Sequence, residues 1–353
     1  MLFIKEWIDG KIHSVPYFDE KPSKKLLQKT LKDTKSTMVH FNFYDIMYDL
    51  SNFNITHITL GKEFEAELPK LPNTLKYLHF ETFSFFDQIL NLPSNIEYLS
   101  LGYNFNSKFD LRNCTKLKYI LINYNYTHNL INCLPISIET IEFVGNINYD
   151  LNILLAQLPN LKKITFEGCK LLNSLDFKNN KHLNTLYFSR TSCNTIINIP
   201  ETLTDLKLDI NCKNNELPKI LQYLPPKLTH LTIDGKFNYS LDNYVPDSLI
   251  YLEIYPNNFN QDINNLLLKL TKLKKIILGS GFTHKIKIPE NLKYLEILND
   301  SHEQAELEGY NEYNDNEDND NEDFVIYSGE PYIGDINGNK IGNDSDSDFS
   351  ICF

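Results

Sequence analysis

Leu75-Lys76-Tyr77-Leu78-His79-Phe80 decides the fold, because the chain keeps rewriting it. Read as apolar-x-x-apolar-x-apolar, it recurs as Ile55-Ile58-Leu60, Ile96-Leu99-Leu101, Leu117-Ile120-Ile122, Ile138-Ile141-Phe143 and Leu161-Ile164-Phe166. Further copies are Leu183-Leu186-Phe188, Leu203-Leu206-Leu208, Leu228-Leu231-Ile233, Leu249-Leu252-Ile254, Leu273-Ile276-Leu278 and Leu292-Leu295-Ile297. That makes twelve copies at spacings of 19 to 25 residues. The last three residues of each hexad point in, out and in, the period of a half-buried strand. One such coil buries too little to offset the entropy of ordering its backbone. Stacking removes the deficit, because neighbouring strands pair in parallel and their apolar rows merge into one core.

The ninth position of each copy carries a second signal. It holds Asn104, Asn125, Asn146, Cys169, Thr191, Asn211 and Asn257, against Phe83, Lys236 and Gly281 in other internal copies. Side chains that donate and accept at that point are expected to satisfy backbone groups where the chain turns inward.

L-x-x-L-x-L-x-x-N/C is the pattern of leucine-rich repeats. Repeats such as Leu92 to Asn106 more narrowly resemble the FNIP-repeat family of social amoebae and giant DNA viruses. The marks are a proline three residues before the hexad (Pro72, Pro93, Pro135, Pro200, Pro225, Pro246, Pro289) and Phe-Asn after the strand (105–106, 237–238, 259–260). The resemblance covers about residues 52 to 298; several copies lack the proline or carry Cys or Thr in the ladder slot. It implies an α/β repeat solenoid that binds protein and is not a catalyst.

Composition narrows the setting. The net charge is −12 over 353 residues, but from Asn299 onward stand sixteen Asp or Glu and one Lys. The rest of the chain, with 33 Lys or Arg against 30 Asp or Glu, is close to neutral. That argues against a nucleic-acid groove, which needs a concentrated basic face. The six cysteines show no C-x-x-C and no close pairing, so buried free thiols are expected instead of disulfides or zinc. The N-terminus has no uninterrupted apolar run, and no stretch approaches 18 apolar residues, which predicts neither signal peptide nor membrane span. Asn-x-Ser/Thr triplets such as 54–56 and 125–127 therefore carry little weight. The expected setting is cytoplasmic, the host cytoplasm if the protein is viral.

Three regions follow. Residues 1–51 are expected to cap the solenoid: a hairpin turning at Asp9-Gly10, a short amphipathic helix from Pro22 to Asp33, and a degenerate first coil from Met38. Residues 52–298 are the solenoid of about twelve repeats, with a parallel concave sheet. Its three longest coils contain Leu151–Leu158, Leu217–Leu224 and Ile263–Leu270 at helical spacing; the shorter ones should pass in extended or 3₁₀ form. Residues 299–353 are an acidic, largely disordered tail, in which Phe324 to Ile333 stands out as an apolar patch that could be a linear motif or a strand folding back. Viral members of the family often place an F-box before the repeats. The 22–33 helix is the only candidate here, and it is too short and too basic.

Function is expected on the outward columns of the strands. The third and fifth hexad positions supply Tyr77, His79, Tyr98, Tyr119, Glu142, Lys163, Tyr187, Lys207, His230, Tyr251 and Tyr294 as candidate partner contacts. Tyr77, Tyr98 and Tyr119 should stack one strand spacing, about 5 Å, apart. Tyrosine offers broad contact area at low ordering cost, although stacked rings also serve a scaffold. Glu142 and Glu167, on adjacent coils, could approach and bind a partner's Lys or Arg. Nucleotide-binding, zinc-protease and serine-hydrolase motifs are all missing, so no catalytic, cofactor or metal residues are assigned. The reading is a monomeric protein-interaction solenoid. Its alternatives are a ubiquitin-ligase adaptor with a degenerate N-terminal docking motif and a structural virion-associated protein.

Overall fold

Each hexad supplies one strand, and the twelve strands lie side by side in chain order in a computed structural model of the protein. The structure describes residues 2–298, except 9, 46, 65–66, 82–91, 104, 107, 125, 172, 193–195, 211–220 and 222–223; beyond these it describes 307–308 and 325–327. With three strands before the hexads and one after, the main sheet has 16 strands. Pairing is parallel and in register throughout the array: Leu78, Leu99, Ile120, Ile141, Ile164 and Leu186 face one another in one unbroken row. That row continues through Leu206, Leu231, Leu252, Ile276 and Leu295. Its members are at most 1% exposed and belong to a single apolar core running the length of the stack. The chain folds as a β-solenoid whose core is a ladder of identical rungs.

Side-chain spacing reports the curvature. Outward rings Tyr77, Tyr98 and Tyr119 stand 4.1 Å apart, whereas the inward rings Phe143, Phe166 and Phe188 are 5.6 and 5.2 Å apart. Farther from the sheet, Phe237, Phe259 and Phe282 are separated by 5.8 and 6.3 Å. Strands themselves repeat at about 4.8 Å. The coils therefore fan apart from the tyrosine side to the core side, and the tyrosine side is concave.

From Leu75 on, every coil enters its strand through the same turn. The first hexad residue donates its N–H to the carbonyl three residues back: Pro72, Pro93, Pro200, Pro225 and Pro289 accept at 3.0–3.2 Å. Cys114, Asn180 and Leu270 accept the same bond in coils without the proline. Proline fixes φ ahead of the turn and gives up only an N–H that the turn does not use.

The expected ladder is filled in part among the described residues. Among the described residues at the ninth position only Cys169 and Thr191 are buried, Cys169 Sγ donating to the Phe143 carbonyl (3.4 Å) and Thr191 Oγ1 to that of Phe166 (3.1 Å). Asn146 and Asn257 are exposed, while Asn104, Asn125 and Asn211 lie outside the described residues. The inward slot nearby is taken by rings, Phe105, Phe237, Phe259 and Phe282. The amide that follows the ring makes the clamp: Asn106 Oδ1 accepts from Thr127 N (2.8 Å), Asn238 Oδ1 from Asn260 N and Asn260 Oδ1 from Thr283 N (3.0 Å each). Burying a large apolar ring inside is worth more than burying an amide, whose hydrogen bonds form equally well at the rim.

The two described convex helices, α1 excepted, carry the same device. With α1 at Lys24–Thr34, they are α2 (Leu151–Gln157) and α3 (Asn264–Lys269), in the long coils where helical spacing predicts them. The third predicted helix, 217–224, lies almost wholly outside the described residues. Asn180 Nδ2 donates to the Leu155 and Leu158 carbonyls at the end of α2, and Asn291 Nδ2 to those of Leu270 and Leu273 after α3. Amides of the next coil thus add a side-chain hydrogen bond at these helix ends, where the Leu155, Leu158 and Leu270 carbonyls also accept a backbone N–H. Shorter coils cross the convex side by isolated turns such as Phe105 N to Gly102 O and Tyr126 N to Asn123 O.

At the N-terminal end, β1 (Leu2–Ile8) and β2 (Lys11–Phe18) form the hairpin expected around Gly10, whose φ is +73°. β2 then pairs parallel with β3 (Met38–Phe41), which carries the degenerate first coil. Ser23 caps α1, and Leu27 of α1 joins the core, whereas Leu26 is exposed. In the tail, Val325–Tyr327 adds a last parallel strand against Tyr294–Ile297, and Leu307–Glu308 pairs with Ile286–Lys287. The rest of the expected disordered tail lies outside the described residues.

Ile164 sits in the inner row with 0% exposure between Ile141 and Leu186. Ile164→Ala is expected to lower unfolding stability by about 2–5 kcal/mol in urea titration. A variant melting like the parent would place that side chain outside the core.

Candidate functional site: the concave face

The outward residues of the strands form two rows. The third hexad position runs His57, Tyr77, Tyr98, Tyr119, Thr140, Lys163, Thr185, Asp205, His230, Tyr251, Lys275 and Tyr294 across paired strands. The fifth position runs parallel to it through His79, Ser100, Leu121, Glu142, Thr165, Tyr187, Lys207, Thr232, Glu253, Ile277 and Glu296.

Curvature brings these side chains together, and the fifth row sinks. Thr59, Ser100 and Glu142 are 3% exposed, and Leu121 and Ile277 6%. The hexad position of Glu142 predicts an outward contact, and the residue is instead buried. The pairing with Glu167 also fails. Glu142 faces Thr165 across the strands, and Glu167 lies two residues farther on opposite Val144. Each acid has its own cation: Lys163 Nζ is 3.1 Å from Glu142 Oε1, and Arg190 pairs with Glu167.

Tyr77, Tyr98 and Tyr119 stack with interplanar angles of 10° and 3°. His57 extends the run at 5.4 Å. Burial foremost, then the neighbouring Tyr98 and Glu142, pushes the Tyr119 hydroxyl far above its ordinary pKa, so it stays a hydrogen-bond donor. In the later coils aromatic rings alternate with charge. His230 stacks on Tyr251 at 4.4 Å and lies 3.4 Å from Asp205; Lys163 sits over the Tyr187 ring and Lys275 over that of Tyr294. Glu253 gathers Lys275 (3.2 Å), Thr232 (3.2 Å) and Tyr255 (3.1 Å). Lys207, half-buried between Tyr187 and Thr232, makes no ion pair among the described residues.

Sequence reasoning missed how the N-terminal end of this face is closed. Glu6 of β1 reaches over it: Oε1 is 2.7 Å from His40 Nδ1, and Oε2 accepts from Thr59 Oγ1 at 2.8 Å. Ile8 and Val15, on the same hairpin face as Glu6, are buried apart from the main core. The hairpin therefore folds onto the concave side across the first coils. Beneath it His79 Nδ1 is sealed without a partner, and burial lowers its pKa to about 4, against a smaller opposing effect of Glu6. Aligning Met38–Phe41 with the hexads would have put His40 in the fifth row; nothing in the sequence pairs Glu6 with it.

The rim where the chain enters the strands carries an alternating ion ladder. Lys76 meets Glu97 at 3.0 Å, and Glu139 holds both Lys162 (2.9 Å) and Lys118 (3.9 Å). All of these but Lys76 line a groove of about 580 Å³ that also includes Lys116 and His182. Exposed pairs of this kind contribute little each. Among the described residues no three His, Cys, Asp or Glu side chains gather as metal ligands, and no helix is long and apolar enough to cross a membrane.

Comparison with known proteins agrees with this architecture. An uncharacterised leucine-rich repeat-containing protein of Amsacta moorei entomopoxvirus is 26% identical over 270 residues, covering 70% of this chain and 52% of its own length. The crystal structure of CroV588, a circular leucine-rich-repeat protein, superposes with a TM-score of 0.55 at 28% identity, over 74% of this chain and 43% of the other. The chain is a leucine-rich-repeat solenoid. An internalin from Listeria monocytogenes aligns with a TM-score of 0.48 and 18% identity, over 77% of this chain and 82% of its own. No family model matches the sequence. This solenoid spans about half the length of its viral relative and less than half of CroV588. Solenoids of this type are generally non-enzymatic scaffolds for protein partners.

The sealed His79 makes stability depend on pH with a definite sign. Its folded pKa, about 4, lies below the ordinary 6.5, so the unfolded chain takes up the proton first. Stability is full near pH 7 and falls as pH drops through the window from 6.5 to 4, by up to about 3 kcal/mol. Urea titrations at pH 7 and pH 5 should show His79→Gln losing less stability than the parent over that interval. Equal losses would mean that His79 is solvated.

Proposed function

We propose that the chain is an FNIP-type interaction solenoid that holds another protein on its concave face, acting as a monomer in the cytoplasm without catalysis. The repeated proline turn and the ring–amide pair after the strand support the FNIP assignment. The observation that carries the binding reading is the stacked run Tyr77-Tyr98-Tyr119, with centroids 4.1 Å apart in a half-buried row. Three parallel rings held by their neighbours have little rotamer freedom left to lose when a partner docks. Their edges and hydroxyls present apolar and polar contact together, the combination enriched at interface centres. Alternating charge farther along the row supplies orientation and partner choice. The closed N-terminal coils direct a partner to the stretch from Tyr77 onward.

Affinity capture from host cells should recover a protein partner with the parent chain. The Tyr77/Tyr98/Tyr119→Ala variant should weaken capture roughly a hundredfold, at about 1 kcal/mol per ring, with circular dichroism confirming that it folds. Undiminished capture by the folded triple variant would assign the stack to scaffolding alone.

A further inference from the structure

We infer that the concave face receives an arginine side chain of its partner at Glu142, the guanidinium taking the place of the Lys163 ammonium. This rests on the reading of that face as the partner-binding surface. Glu142 is 3% exposed and lies midway along the fifth row, between Leu121 and Thr165. Its carboxylate is only partly satisfied. Oε1 has Lys163 Nζ at 3.1 Å and the Tyr119 hydroxyl hydrogen-bonds the group, while Oε2 is sealed with no partner within hydrogen-bond distance. On the adjoining strand Thr165 Oγ1 is sealed and unpartnered as well. Two neighbouring orphan oxygens, one on a carboxylate, are costly in a low-dielectric setting.

Lys163 does not remove that cost. Its ammonium is a single point of charge at the end of a flexible stem, and here it serves one oxygen. The side chain is 39% exposed and leans toward the Tyr187 ring, 5.8 Å away, so it covers the acid from the solvent side and has room to leave. A guanidinium presents two parallel N–H donors at the spacing of the two carboxylate oxygens and has further N–H groups for a hydroxyl such as Thr165 Oγ1. Its plane also stacks on aromatic faces, and Tyr187 and Tyr119 flank the position. The exchange conserves local charge. One cation leaves to water as another enters, and Lys163 regains full hydration. Lys163 thereby holds the site closed against weak donors until a bidentate one arrives.

L-argininamide and L-lysinamide are suitable probes, titrated into the full chain with backbone amide resonances as the readout. Argininamide should shift Lys163, Thr165 and Tyr187 saturably, with affinity at least about tenfold above lysinamide. Lys163→Ala, which removes the competing cation at an exposed position, should tighten argininamide binding several-fold; Glu142→Gln should abolish it. Equal affinity for the two probes, no saturable shift, or weaker binding by Lys163→Ala would each overturn the inference. Because Lys163→Ala leaves the buried carboxylate in place, the result stands even if Glu142→Gln fails to fold. Loss of partner capture by the tyrosine variant, with argininamide inert, would overturn this inference alone; capture insensitive to the tyrosines would remove the broader reading as well.

Discussion

One constraint governs the molecule: each strand must return to a place about 4.8 Å beside the last, in register, with the same face turned inward. A shift by one residue would send Ile120, Ile141 and Ile164 outward and their polar neighbours into the core. The chain meets this requirement with coils of 19 to 25 residues because it fixes only the hexad and the turn before it. Everything between is free to be helix, as in α2, or a few isolated turns. The ring that plugs the coil and the amide beside it then lock neighbouring coils together at the far rim. Asparagine is abundant in this chain, and much of it serves that clamp, from Asn106 to Asn260 and at the helix starts Asn152 and Asn264.

Curvature follows from the side chains placed on the two faces. Phenylalanine rungs hold the coils apart on the core side, and flat tyrosines allow close approach on the other. Compression on the tyrosine side turns a row of outward residues into a half-buried seam. Polar groups there are partly desolvated, so their pairings acquire more weight than on an open surface. Glu142 and His79 belong to this regime, whereas the lysines and glutamates of the entry rim remain in water.

The array was legible from sequence because its signal repeats: a dozen copies of one hexad outweigh any local ambiguity, and the inner row, the hairpin and two convex helices all fall where the pattern puts them. Three features were not legible. Depth of the fifth row depends on curvature, which emerges from ring sizes summed across coils and not from any one strand, so nothing in the hexad of Glu142 tells its burial. Residue type marks the ladder slot but not its competitor: Cys169 and Thr191 fill it, whereas at Phe105, Phe237 and Phe259 a ring takes an inward place and the amide after it clamps the next coil at the rim. The contact of Glu6 with His40 and Thr59 joins residues 34 and 53 positions apart through a hairpin that folds over the sheet, and no periodicity encodes it.

The hairpin has one more effect. β1 runs against the direction of the described strands that follow it in the main sheet, whereas a repeat unit carries its own polarity, entering at the proline turn and leaving toward the convex side. A duplicated coil spliced between two existing ones finds matching neighbours above and below. Set against β1, the same coil would meet a strand of opposite sense whose acidic side chain is already spent on the first coils. Lengthening or shortening of this lineage should thus occur within the array, leaving a fixed leading edge and a variable number of coils behind it.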